Sequence, residues 1–345
     1  MPAPPPTCIY CLSQSNTFDR EHVIPQSFGT FEPESFILYD TVCKLCNNYF
    51  GRTLELSLSR DSTEALLRLT HGLKAPAGAR QFPYERIALR VGEPGPWLGA
   101  TVVLEADQTG SGIEPIPLPQ VAFKWKGASE WTFLQEPELD ESDKVAAYAG
   151  SSPGALEIRI MGSSESDSRR LIDKLGQIGI KFSQQGFFES PIPTDGKVKL
   201  EILATVDATI FRAIAKIAFN YVAYVHGKEF VLKSDFDAAR NYIRFAKLPQ
   251  WETIVQASPK PILFDDKVNL RQTSGHLITF DWNLGGTGFL AQVSLFNSVT
   301  YRVALCPTYS GIWHDGMRVG HHFDIDEKTI SPLASTRIAM ISLPT

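Results

Sequence analysis

The sequence holds no apolar run approaching the ~18 residues that a membrane-spanning helix needs, so no such helix is expected. Its first residues, Met-Pro-Ala-Pro-Pro-Pro-Thr, have neither the basic nor the apolar region of a secretory signal and read as a floppy leader. The expected location is the cytoplasm. Five cysteines in 345 residues are too few for a disulfide scaffold. A net charge of -5 gives no overall basic excess of the kind that draws a protein to phosphate backbones. No internal repeat is present, which excludes a solenoid or propeller.

What is present is an ordinary globular composition, 43% hydrophobic and 21% charged, long enough for two or three domains and a sizeable core. The cysteines are unevenly placed. Four form two CxxC pairs, Cys8/Cys11 and Cys43/Cys46, and Cys306 stands alone in an apolar run as a buried small hydrophobe. In a reducing compartment, paired CxxC knuckles favour a tetrahedral zinc with four thiolate ligands. Such an ion staples two distant segments that could not form a core by themselves. Four cysteines alone say nothing of catalysis, since most such ribbons are structural or binding modules.

The segment between the knuckles adds chemistry. It contains Asp19-Arg20-Glu21-His22-Val23-Ile24-Pro25, and the second knuckle runs straight into Asn47-Asn48-Tyr49-Phe50-Gly51. Over residues 8–58 this resembles the HNH nucleases of the ββα-metal fold, particularly the branch with an EHxIP strand and a CxxCN helix start. The resemblance implies phosphodiester hydrolysis assisted by one divalent ion, commonly magnesium or manganese, leaving 5′-phosphate ends. The residue chemistry agrees. His22 titrates near neutrality and suits a general base, while Glu21 and the Asn47 side-chain carbonyl offer hard oxygens to the ion. Successive strand residues point to opposite faces, so Glu21 and His22 share a site only where the strand bends or ends. Arg20 and Arg52 are candidate phosphate clamps. Where the family places an Asn that orients the histidine, residues 35–40 have none, which leaves a backbone carbonyl or Asp40 for that task.

Charge argues the other way. From Cys8 to Arg60 there are four basic residues (Arg20, Lys44, Arg52, Arg60) and six acidic ones (Asp19, Glu21, Glu32, Glu34, Asp40, Glu55). Nucleic-acid affinity therefore has to come from a local patch, the bound cation, the rest of the chain or a partner.

Beyond this segment the pattern is mixed. A helix is expected over 52–70, strands over 86–91, 101–104, 123–134 and 156–161, and a helix from Ser166 to about Leu175. The plainest helix runs from Asp207 to His226, with Gly227 as its stop. A second, Asp235–Ala246, is announced by Ser234 in a capping-box-like arrangement with Asp237, and the two make a helical hairpin. Strands at 277–282, 289–296 and 299–305, with a turn at Asn297-Ser298, predict a C-terminal antiparallel sheet. Gly285–Gly288 reads as a hairpin turn and Gly320-His321-His322 as a turn after a strand. Arg169, Arg170 and Lys174, and Arg240, Arg244 and Lys247, read as solvated helix faces, and these are where a duplex-tracking surface would lie.

The expected protein is thus α+β. A zinc-stapled ββα-metal (HNH) module occupies residues 1–72, and a mixed α+β domain of residues 73–345 selects a target, restrains the nuclease, or binds an activating ligand or protein partner. The expected activity is a metal-dependent HNH endonuclease acting on DNA rather than RNA, with His22, Glu21, Asn47, Asp40 and Arg20 at its site and a role in anti-phage or foreign-DNA defence by analogy of architecture. The alternative is a catalytically silent four-cysteine zinc module that binds nucleic acid or a protein partner.

Overall fold

The structure is a computed structural model. It describes residues 6–73, 81–82, 87–92, 95–106, 113–182, 199–204, 207–249, 254–258, 275–282, 288–312 and 319–333, apart from positions 16, 34 and 153. It is α+β, as the residue pattern predicts. The chain forms two compact units, one of Met1–Pro76 with Val206–Thr345 and one of Ala77–Thr205. It leaves the first unit after Pro76 and re-enters it at Val206. Among the described residues no helix is long and apolar enough to cross a membrane.

The first unit begins with an antiparallel hairpin of β1 (Phe18–His22) and β2 (Ile37–Cys43), followed directly by α1 (Lys44–Arg52). The helix expected over 52–70 is two, α2 (Leu54–Arg60) and α3 (Thr63–Thr70). Ser62 makes the break, because its hydroxyl donates to the Leu58 carbonyl and accepts from the Ala65 amide. One side chain thus ends a helix and caps the next.

After re-entry, α4 (Ala208–His226) runs where expected. The Asp207 carboxylate caps it by accepting from the Thr209 and Ile210 amides, and Gly227 ends it at φ 86°. The partner helix of the hairpin, α5, is shorter than expected (Asp237–Phe245). A single 3₁₀ turn occupies Ser234–Phe236, and Ser234 makes no capping box. Six antiparallel strands follow: β3 (Val255–Ser258), β4 (His276–Trp282), β5 (Phe289–Leu295), β6 (Val299–Cys306), β7 (Val319–Asp324) and β8 (Thr329–Pro332), in spatial order β3-β6-β5-β4-β7-β8. The β5–β6 turn centres on Phe296 and Asn297, both at positive φ, one residue earlier than expected. Gly320-His321-His322 is not a turn but part of β7. Its pairing with β4 carries it through the sheet, and Tyr221 Oη lies 2.8 Å from His321 Nδ1. Most of Gly285–Gly288 lies outside the described residues. Cys306 is buried as expected. Helix α4 packs on α2 and on β5 and β6, so one apolar cluster runs from Cys8 to Ile325.

The second unit carries strands Ile87–Val91, Thr101–Ala106 and Leu156–Met161 and the helix Glu165–Gln177, close to expectation. The single strand expected over 123–134 is a hairpin of Gln120–Trp125 and Thr132–Gln135, turned at Gly127. Arg169 pairs with Glu165, and Arg170 with Glu136 and Asp167. In the first unit, Arg240 is not on a solvated face. It is buried and donates to the Ile9 and Val231 carbonyls.

His276 joins the N-terminal loop to the sheet. Its Nε2 faces the Phe28 carbonyl at 2.7 Å and must donate, while its Nδ1 faces the Phe296 amide at 3.1 Å and must accept. The ring is therefore neutral, and burial pulls its pKa down from 6.5 to about 4. The unfolded chain binds a proton that the folded chain refuses between those values. His276's own contribution is flat above pH 6.5 and costs roughly 3 kcal/mol as pH drops to 4. Denaturant unfolding across that range should show the loss, and His276→Gln should flatten it. An equally steep fall in the variant would assign the loss elsewhere.

Candidate active site and metal centre

The two knuckles meet at the start of α1. Cys8 and Cys11 lie on the N-terminal turn, Cys43 ends β2 and Cys46 is in the first turn of α1. Their four sulfurs all lie within 4.8 Å of one another. Cys11 Sγ and Cys43 Sγ are 3.7 Å apart, against the ~3.8 Å edge of a tetrahedron with zinc–sulfur bonds of ~2.3 Å. The donor set and spacing fit a structural zinc. Cys8 is held well below the usual thiol value, at about 4, by hydrogen bonding from Cys46 and then from nearby backbone amides, which outweigh burial. Four thiolates around one zinc leave an excess of negative charge. Arg244 of α5 answers it, with Nε 3.3 Å from Cys46 Sγ and its guanidinium over the Tyr49 ring. Among the described residues this is the only group of three or more His, Cys, Asp or Glu side chains placed to hold a metal.

The hairpin beside it is irregular. Asp19 pairs with Val42, but Glu21 already pairs with Leu38, so Arg20 faces a bulge in β2 that contains Asp40 at φ 49°. A bulge of this kind bends the strand and re-aims its side chains. The exposed Asp40 makes no hydrogen bond to His22, and its backbone carbonyl accepts from Lys228 Nζ at 2.7 Å. Arg20 and Arg52 are exposed. Asn47 Nδ2 donates to the Arg20 carbonyl at 3.1 Å and ties α1 to β1.

Glu21 and His22 do point to different surroundings. Glu21 is 3% exposed and faces α4. There Lys216, itself fully buried, forms ion pairs with Glu21 and with Glu55 of α2, the latter at 2.6 Å. Asn220, one helical turn further along α4, donates from Nδ2 to Glu21 Oε1 at 2.9 Å and to the His22 backbone carbonyl at 3.2 Å. The Tyr10 hydroxyl donates to Asn220 Oδ1 at 2.6 Å, which fixes the amide orientation. Burial opposes the Lys216 charge, but the two carboxylates outweigh it and hold the ammonium above its ordinary value. For Glu21, burial is the larger effect and pushes the carboxyl up against the pull of Lys216 and Asn220. His22, at the end of β1, is half-buried, and its ring makes no hydrogen bond to a described residue. Burial, helped by Lys216 and Arg20 against Glu55, lowers its pKa.

Of the residues that meet here, sequence reasoning named Glu21 and His22 as candidates and did not single out Tyr10, Glu55, Lys216 or Asn220. One signal was available. Arg212, Lys216 and Asn220 recur every fourth residue as a polar stripe in an otherwise apolar helix, and all three are buried. Arg212 completes the stripe by donating to the Tyr49 hydroxyl at 2.6 Å and to carbonyls at the end of α5.

Residues 8–63 match the model of a family described as HNH endonuclease. The match and the four-cysteine cluster together are consistent with the zinc-binding HNH branch over this segment. No curated protein and no solved structure matches the chain.

Proposed function

We propose that the chain is an endonuclease that hydrolyses phosphodiester bonds, in DNA rather than RNA, with His22 as general base. The observation that carries this reading is the state of His22. Its ring is partly open to solvent, its nitrogens are not spent on the fold, and its lowered pKa keeps it neutral and able to take a proton from water near pH 7. Arg20 and Arg52 are exposed near the hairpin and α1 and can meet phosphate.

The catalytic ion, magnesium or manganese, would be held by Glu21 and Asn47. The donor set fits in kind. Glu21 Oε1 is taken by Lys216 and Asn220, but Oε2 accepts no hydrogen bond from a described residue. Asn47 uses Nδ2 on Arg20 and keeps Oδ1. Each therefore retains one hard oxygen, the type these ions take. Bound there, such an ion stabilises charge developing on the phosphate and leaving oxygen. The chain's own residues do the rest: His22 holds the proton, Asn220 and Lys216 hold Glu21, and Asn47 ties the helix to the strand.

A second reading has its own support. A buried ammonium on Glu21 is what a silent zinc module would show, its carboxylate committed to the fold while the module binds nucleic acid or a protein partner. Plasmid cleavage separates the two. Wild-type protein with Mg²⁺ or Mn²⁺ should nick or linearise the plasmid, chelator should stop it, and His22→Ala should abolish it. Equal cutting by the variant would assign the activity to another site or a contaminant. No cutting by either protein would favour the silent module.

A further inference from the structure

Burying Arg212, Lys216 and Asn220 along one helix is costly, since each ion gives up its hydration even when paired. Apolar residues of similar volume would pack α4 against the module at less expense. A polar stripe in that place therefore calls for a reason other than stability, and its contacts supply one. Two of its three residues end on the single strand that carries Glu21 and His22.

Asn220 is the most informative of them. Its one amide group spans the side chain of Glu21 and the main-chain carbonyl of His22. Fixing that carbonyl fixes the peptide plane that leaves His22, and with it the direction in which the His22 side chain departs. The hairpin holds the other side of that plane, where Val23 N donates to the Phe36 carbonyl at 2.9 Å, and Asn220 holds its oxygen at the point where β1 ends. Asn220 is itself fixed, because Tyr10 Oη holds its Oδ1, and Tyr10 is packed between Phe50 of α1 and Phe219 of α4. A chain of contacts thus runs from the zinc knuckle that carries Tyr10, through Asn220, to the backbone of the general base.

We propose that Asn220 is a positioning residue for His22, contributed by a segment some 200 residues away in sequence, so that the HNH module is completed only by helix α4. This rests on the reading of His22 as the general base. It assigns residues from Val206 onward to the construction of the active site rather than to its restraint. On this reading the orienting task for which residues 35–40 offer no Asn falls to an amide from outside the hairpin, acting through the His22 backbone.

The test uses the full chain with three variants, Asn220→Ala, Tyr10→Phe and His22→Ala, in steady-state cleavage of a labelled DNA duplex with Mg²⁺. Asn220→Ala should lower kcat about 100-fold, the cost of misplacing a catalytic group by about an ångström, with KM within about twofold because no substrate contact is lost. Tyr10→Phe keeps the ring and frees the amide to flip, and should lower kcat about 10-fold. It also decides the matter if Asn220→Ala does not fold. Nuclear magnetic resonance of ¹⁵N-histidine-labelled protein gives a second readout, with the His22 signal assigned by its absence in His22→Ala. That signal should shift or split in both variants while the His276 signal stays. A folded Asn220→Ala protein with wild-type kcat, or a loss confined to KM, overturns the proposal. If the wild type shows no His22-dependent cleavage, the nuclease reading fails, and the resonance alone then judges the positioning. An unmoved His22 signal overturns it, and a moved one upholds it.

Discussion

Chelating the metal from the four-cysteine site is expected to unfold the first compact unit at temperatures where the intact protein is stable. Zinc sites of this type bind with roughly 10–16 kcal/mol in peptides, against a total stability of about 5–15 kcal/mol for a domain. Two features work against collapse. Cys8, Ile9 and Tyr10 are at most 1% exposed, and their apolar surroundings continue into α4 and the sheet, so the module has a core that an isolated zinc finger lacks. Arg244 would also still attract the Cys46 sulfur. Neither outweighs the loss. Four thiols within 4.8 Å of one another would have to be protonated and repacked in a space shaped for an ion. Purified protein should hold one zinc per chain, released by a mercurial reagent. Chelation or Cys43→Ser should lower the unfolding temperature by more than about 10 °C. Protein that carries no zinc, or that melts unchanged after chelation, would remove the metal from the account of the fold. Cys306 should make no difference, being a lone buried thiol in the sheet.

How far the sequence showed this depends on whether the signal was local. The knuckles, the strand ending at His22 and the helix beginning after Cys43 are written in short spacings, and the structure assembles them. Helix α4 was equally legible, from its apolar period, its Asp cap and its Gly stop. What escaped notice was the purpose of its polar residues. Lys216 and Asn220 read as interruptions of an apolar pattern, and nothing within thirty residues of them contains their partners. Glu55 entered only the charge count for the same reason, because its cation lies 161 positions away. Two local expectations failed, one on local chemistry and one on a distant strand. Ser62 divides a helix that propensity would have continued, and the glycine and two histidines of β7 resemble a turn until β4 is placed beside them. Asp40 shows a third case. Its left-handed backbone marks the bulge that shapes the site, and its backbone carbonyl rather than its carboxylate is what the neighbouring lysine binds.

Lys216→Met is the substitution expected to cost most stability without touching the metal. Methionine keeps most of the aliphatic stem and deletes the charge, leaving Glu21 buried with no cation beside it. Glu55 is partly exposed and can turn to solvent. Glu21 cannot, and it will take up a proton when that is cheaper than remaining ionised. That escape caps the penalty. At pH 7, protonating a carboxyl of ordinary value 4.5 costs about 3 kcal/mol, at ~1.36 kcal/mol per unit. A unit of this size should therefore melt about 10 °C lower. The sign of the pH dependence follows. In the variant the folded Glu21 pKa is raised above its unfolded value, so stability is greatest at low pH and is lost as pH rises through that interval. The gap between variant and wild type should shrink from pH 7 toward 5, by less than the limiting ~1.4 kcal/mol per unit because burial already raises the wild-type Glu21 carboxyl. Glu21→Gln combined with Lys216→Met should recover most of the loss, because the amide needs no cation and can still meet Asn220. Unfolding curves at pH 5, 6 and 7 for the single and double variants decide it. A gap that stays constant with pH would show that Lys216 serves by packing its stem, and the buried charge pair would then have no part in holding the strand that bears His22.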